Sequence, residues 1–392
     1  MARFGDGVGV GPDLLSAAES AAKQATAPLD GRADLACVFV SGEDPDAVEG
    51  AARRAMRAID ARTVLGCTAT GVIGGERGIE EASAVSAWAG VLPNARIEPF
   101  RLETLRTDDR LVVIGMPEGQ DDDVVGVLFA DPYSFPVDAF VERSGDVLPG
   151  LPLVGGLAGG MTGRESVRLF IDDDVIDSGA VGVVIGGPIV AATLVSQGAR
   201  PIGPPMVVTK AEDNIVYELA GAPALAKLEQ IVAELPDNEQ ALAAGGLLIG
   251  VAMDEYADEH EQGDFLVRGV VGADTDENAL AIGDVVEVGR TVRFQVRDAG
   301  AAGDDLAELL DRFDLPSVEG ALLFSCNGRG RAMFPDSDHD IKVLRRTFGP
   351  GGVGGFFAAG EIGPVGGRNH VHGFTASILA FGPDGSASSP RE

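Results

Sequence analysis

One run of elements is written three times along this chain, and that repetition limits the fold more than any other feature. Each copy is an apolar strand, a helix and a second strand that runs into a glycine turn. The first has a strand at 35–40 (LACVFV), a helix at 46–61 and a strand at 63–65 before Gly66-Cys67-Thr68-Ala69. The second has a strand at 124–130, a helix at 137–147 and a strand at 151–154 before Gly155-Gly156-Leu157-Ala158. The third has a strand at 321–325, a helix at 339–348 and a strand at 353–357, with Gly355-Phe356-Phe357-Ala358 in the matching place. Outgoing strands follow at 84–92, 167–171, 180–185 and 372–381. Strand-length apolar runs alternating with helical periodicity predict parallel strand neighbours joined through a helix. The fold class implied is α+β, with mixed sheets packed face to face and helices outside.

A helix is also expected at 14–27, behind Asp13 as N-cap. A different region fills 196–318, with strands at 206–209, 215–219, 247–252, 265–271 and 292–296 and helices at 223–235, 239–244 and 301–313. At 392 residues the chain has room for two domains with sizeable cores. They are expected at 1–199 and 200–383, with 384–392 as a disordered tail. The longest uncharged run, 178–197, approaches the length of a membrane span. Gly186-Gly187-Pro188 splits it into two strand-length halves, which predicts a buried hairpin.

Net charge is −31, from 30 basic and 61 acidic residues. That argues against nucleic acid and membrane as partners, since both select basic surfaces. It also repels anionic ligands unless arginines reverse the field locally. The three cysteines, Cys37, Cys67 and Cys326, form no CxxC and no even framework. With no apolar leader at the N-terminus, a reducing cytoplasmic location is expected. The acidic run at 254–264 reads as a solvated loop; its spacing matches no EF-hand.

Chemistry concentrates near the C-terminus. Residues 354–377, GGFFAAGEIGPVGGRNHVHGFTAS, carry seven glycines, too many for a helix or strand interior, and among them Glu361, Arg368, Asn369, His370, His372 and Thr375. Upstream, ALLFSCNGRGRAMF runs an apolar strand into Cys326, Asn327 and Arg329. The two loops leave the same edge of one parallel pair and are expected to form one small-ligand pocket. Arg329 and Arg368 suit a carboxylate or phosphate, or else pair internally with a carboxylate such as Glu361 or Asp336. Glu361 and Asn369 can hold an amine, so the set suits a zwitterion such as an amino acid. Cys326 reads either as an activated nucleophile or as a buried structural thiol. The glycine turns at Gly66, Cys67, Gly155 and Gly156 suggest a second site.

The blocks FSCNGRG, GFFAAGEIGPVGGRN and HGFTAS, in that order, resemble the C-terminal signature of the FIST family (F-box and intracellular signal transduction proteins). SQGARPIGPPMVVTKAEDN, GCTATG and VGGLAGG extend the resemblance over nearly the whole chain. It implies a sensory module that binds an amino acid or similar small molecule. With no room for a kinase or cyclase, the chain is expected to signal through a separate partner protein and not to be an enzyme. Some members are described as binding haem and sensing nitric oxide; that alternative implies an axial histidine, His372 first and His339 second. A further alternative is a thiol-dependent enzyme using Cys326 with His372. His370 departs from the family pattern, so no metal site carries over.

Overall fold

The computed structural model describes residues 3–107, 110–255, 263–313, 315 and 317–383. The proposed tail and residues 256–262 of the acidic run lie outside them. By contact the chain forms two compact units. One holds the described residues of Met1–Val195, Ala307–Val371 and Thr375–Glu392; the other holds Ser196–Leu306 and His372–Phe374.

All three expected strand–helix–strand units are present in the first unit. Strands Leu35–Ser41 and Thr63–Thr68 flank helix Pro45–Ile59, and Asp123–Ala130 and Leu153–Leu157 flank helix Val137–Val147. Strands Gly320–Cys326 and Gly352–Ala358 flank helix His339–Phe348. Each pair is parallel, and an antiparallel strand lies against the outer side of its first member: Ala84–Val91, Ala180–Gly186 and Thr375–Phe381 respectively. The fold is thus α+β, with mixed sheets built from a repeated unit.

The repeats are interlocked by exchange. After its second parallel strand each repeat sends a hairpin onto another repeat's sheet. Gly71–Gly74 and Arg77–Glu80 join the third repeat through Gly352–Ala358. Leu169–Ile171 and Asp174–Ile176 join the first through Thr63–Thr68. Glu361–Val365 and Arg368–His372 join the second through Leu153–Leu157. The exchange is cyclic, so every sheet is completed by a neighbour. The last hairpin was read as a glycine loop; its glycines Gly366 and Gly367, at φ 58° and 77°, form only its turn. The expected hairpin at 178–197 is instead two strands, Ala180–Gly186 and Ala191–Gln197, in different sheets.

Matched positions of the three repeats meet in one core. Phe39, Phe129 and Phe324 pack edge to face, with ring centroids 5.3, 5.5 and 6.4 Å apart. Across the parallel ladder they face Cys67, Gly156 and Phe356. Phe356 touches all three other rings, at 4.8–5.6 Å. There is room for it because its counterparts are small: a Cβ on Gly156 would lie 3.1 Å from the Phe356 ring and 2.9 Å from the Ala358 Cβ. On the opposite face of the first sheet, Ala36, Val38 and Val40 pack against the outer helices.

The neighbouring glycines have a backbone reason. A Cβ on Gly66, Gly155 or Gly355 would meet the carbonyl oxygen of Val38, Leu128 or Leu323 at 2.0, 1.9 and 1.8 Å. Gly66, Cys67, Gly155 and Gly156 therefore lie within strands, not in turns. The same constraint hid the first strand, Arg3–Val10, from the sequence reading. Its alternate residues Gly5, Gly7 and Gly9 face the backbone of Ala25, Ala21 and Ala17 on helix Leu14–Thr26, where a Cβ would sit 2.2, 2.4 and 2.1 Å from carbonyl oxygen.

The second unit contains a closed ring of antiparallel strands. Thr291–Arg297 pairs with Met206–Glu212, then Ile215–Leu219, Ala279–Ile282, Phe265–Asp274 and Leu247–Ala252, which pairs back to Thr291–Arg297. Helix Ala224–Glu234 buries Ala224, Leu225, Leu228 and Ile231 in its core with Ile249, Leu280 and Phe294.

Gly155→Ala should destabilise the protein by about 1–3 kcal/mol or more, because the backbone of Leu128 has to move. Gly50→Ala, in a helix interior with only an ordinary 3.6 Å contact to Leu15, should stabilise it by about 0.5–1 kcal/mol. Urea midpoints at unchanged slope check both.

Candidate functional site

The parallel register places Ser325 opposite Phe357 and Cys326 opposite Ala358, so the two loops do leave the third sheet together. Beyond them, the named residues fall into two places.

The first is a buried polar cluster. Arg329 is fully enclosed and grips Asp340 with two bonds, Nε to Oδ2 at 2.8 Å and Nη2 to Oδ1 at 2.9 Å. Ser325 donates to the same Oδ2 at 2.7 Å, and His339 Nδ1 lies 3.0 Å from Oδ1. Phe334 stacks on the His339 ring at 3.7 Å and lies 5.4 Å from the Arg329 guanidinium. Burial alone would raise the Asp340 pKa. The Arg329 charge and bonds from His339, Arg329 and Ser325 override it and hold the carboxyl well below the usual carboxylate range.

Glu361 is the second carboxyl there, also fully enclosed. Its Oε2 accepts from the Thr375 amide at 3.1 Å and the Thr375 hydroxyl at 2.8 Å. Burial pushes its pKa up to about 8, against the opposing pull of Thr375, the Cys326 thiol and the Arg329 charge. The repeats provide an internal comparison. Glu361 faces Gly156 across the ladder, and the matched partners of Cys67 and Phe356 are Leu169 and Val72. An acid occupies one of three matched core positions where the other two hold aliphatic residues. Likewise the counterparts of Cys326 at the ends of the other strands are Ser41 and Asp131. Ser41 donates to the Ala82 carbonyl, and Asp131 caps the turn at Tyr133 and Ser134.

The second place is an open cleft of about 540 Å³ in the same compact unit. It is walled by Glu142, Gly145 and Asp146 of helix Val137–Val147, by Gly150, Leu151 and Pro152, by Thr193, and by Pro364, Gly367, Arg368 and Asn369 of the exchanged hairpin. Asn369 fixes its floor. Its Oδ1 accepts from the Leu153 amide at 2.9 Å, and its Nδ2 donates to the Ser144 hydroxyl and the Leu151 carbonyl, both at 3.0 Å. Those bonds occupy the Asn369 amide, so its part is to position the wall. Arg368 is exposed and forms no ion pair among the described residues. Glu142 and Asp146 lie four apart, on one face of their helix.

Cys326, Arg329, Glu361 and Thr375 are thus brought together, while Arg368 and Asn369 line the cleft. Asn327 is exposed, and its amide bonds the Ala358 carbonyl at 2.9 Å. His372 is buried and belongs to the other compact unit. Gly66, Cys67, Gly155 and Gly156 serve strand packing, and burial pushes the Cys67 thiol well up, away from reactivity. The sequence reading missed Asp340, Glu142 and Asp146. The first helical turn of HDIKVLRRTF and the four-residue spacing in VERSGD were the available signals. Among the described residues no histidine borders the cleft; His339 Nδ1 lies against Asp340 and its ring stacks on Phe334.

The geometry defines a repeat-built α+β protein with a buried acid–guanidinium–thiol cluster and a separate open cleft. The chain belongs to the FIST family: the FIST N domain matches residues 34–222 and the FIST C domain matches residues 224–364. FIST domains are associated with signal transduction and small-ligand sensing. The chain is 42% identical over 383 residues to the uncharacterised protein Rv0628c of Mycobacterium tuberculosis, covering 97% of this chain and 99% of that one. It is 41% identical over 386 residues to the uncharacterised protein Mb0898c of Mycobacterium bovis, with the same coverage. Among the described residues no helix is long and apolar enough to cross a membrane.

The Glu361 pKa lies above that of a free carboxyl, so the folded state binds the extra proton between about pH 4.5 and 8. Its contribution is fully present below about pH 4.5 and is lost as pH rises through 8, a loss on the order of a few kcal/mol. Glu361→Gln should flatten that part of the stability–pH curve and raise the melting temperature at pH 8.5. Arg329→Ala should cost about 3–5 kcal/mol at neutral pH by leaving Asp340 buried and unpaired, read as a lower urea midpoint.

Proposed function

We propose that this protein is a cytoplasmic sensor that binds an amino acid or similar zwitterion in the open cleft and signals through a separate partner protein. The observation that carries the reading is the composition of the cleft. An exposed arginine, Arg368, shares about 540 Å³ with two carboxylates, Glu142 and Asp146, around a floor pinned by Asn369. That volume falls in the range of small-molecule sites. Arg368 takes the ligand carboxylate through its planar fork, and Glu142 and Asp146 take the ammonium. In a chain of charge −31, a ligand bearing both signs escapes the repulsion felt by an anion. The family association with small-ligand sensing supports the same reading, as does the burial of all three free cysteines, which needs no oxidising compartment.

Titration calorimetry of the full chain with each common L-amino acid tests it. At least one should bind, and Arg368→Ala should weaken it by about 1.5–3 kcal/mol, roughly tenfold to a hundredfold in Kd. No heat and no thermal shift across the panel, or an unchanged Kd in Arg368→Ala, would overturn the assignment.

A further inference from the structure

Two polar atoms of the buried cluster stand unused. Arg329 Nη1 and Glu361 Oε1 are both enclosed, and neither has a hydrogen-bond partner among the described residues. Such atoms are rare in folded proteins, and each one retained calls for an explanation. Neither is free to turn away. The other guanidinium nitrogens are held on Asp340, and the other carboxyl oxygen on Thr375. The Cys326 thiol lies with them: it acts on the Glu361 carboxyl, and both it and Glu361 contribute to the field at Arg329. Nothing in the other two repeats requires this trio, since their matched positions hold Ser41, Asp131, Leu169 and Val72.

We propose that Cys326, Arg329 and Glu361 form a covalent capture site for a small aldehyde, with Cys326 Sγ adding to the carbonyl carbon while Arg329 Nη1 and Glu361 Oε1 hold the carbonyl oxygen. The guest is neutral because the guanidinium is already matched by Asp340, and a further buried charge would have no counterpart. It is short because Cys326 as a whole is only 5% exposed. Protonated Glu361 and Arg329 donate to one oxygen, which polarises the carbon. The C–S bond forms as the C=O π pair moves onto oxygen. Glu361 gives that oxygen its proton and receives the thiol proton in exchange. The product is a neutral thiohemiacetal, every atom is accounted for, and no oxidant or reductant enters.

Propionaldehyde labelled with carbon-13 at the carbonyl, added to the full chain, provides the test. A saturable, protein-bound tetrahedral carbon signal, resolved from that of the free aldehyde's hydrate, should appear in the NMR spectrum and vanish in Cys326→Ser. Glu361→Gln, which keeps a hydrogen-bonding oxygen for Thr375 but cannot relay a proton, should slow its formation at least tenfold. Arg368→Ala should leave it unchanged, which separates this site from the cleft. Native chain labelled at cysteine Cβ needs no variant: the aldehyde should shift one of its three cysteine resonances. No protein-bound tetrahedral signal, no shifted cysteine resonance, a bound signal that survives in Cys326→Ser, or equal rates in native chain and Glu361→Gln would overturn the proposal.

Discussion

The larger unit depends on four phenylalanine rings that converge from three sheets. Phe39, Phe129 and Phe324 come from matched strands, and Phe356 fills the space that Cys67 and Gly156 leave open. Three sheets each present an apolar inner face, and no sheet can bury that face alone. Edge-to-face rings set how closely the sheets approach. The approach in turn demands glycine where a parallel strand runs against its neighbour's carbonyls. The glycine richness of the chain is therefore largely a packing requirement.

That requirement explains what could be read from the sequence. Helices 137–147 and 339–348 were legible to the residue, because each has a clean apolar stripe between clear stops. The parallel pairs followed from their spacing. Glycine misled in two places and hid a strand in a third. RFGDGVGV prompted no strand expectation, because its alternate glycines, which admit a helix backbone, break the apolar pattern. GCTATG and VGGLAGG looked like ligand turns, although their first residues are strand interior. GEIGPVGGRNHVH looked like one loop, although it is a hairpin donated to another sheet. Partners supplied from another repeat leave no local pattern, so the cyclic exchange was not visible.

The site was legible in composition and not in arrangement. Cys326, Arg329, Glu361 and Thr375 do assemble, but Arg329 answers to Asp340, a residue marked by no motif. Arg368 faces outward, and its acidic neighbours come from the second repeat's helix. The chain thus separates two kinds of polarity: an enclosed cluster with fixed bonds, and a solvated concavity whose charges are available to a guest. Enclosure pushes both carboxyls up, yet only Glu361 ends raised, because Asp340 has the guanidinium in direct contact and is pulled well below the usual range.

The exchanged hairpins also bear on how such a chain can be divided. The family segments meet between residues 222 and 224, inside the strand ring and far from the end of the third repeat. A fragment ending there would carry Gly71–Gly74 without Gly352–Ala358 to receive it, and Leu153–Leu157 without Glu361–Val365. Both would be bare strand edges, templates for pairing with other chains. Fission of the gene at that junction would yield halves that aggregate unless they were made together, which favours inheritance of the two segments as one piece.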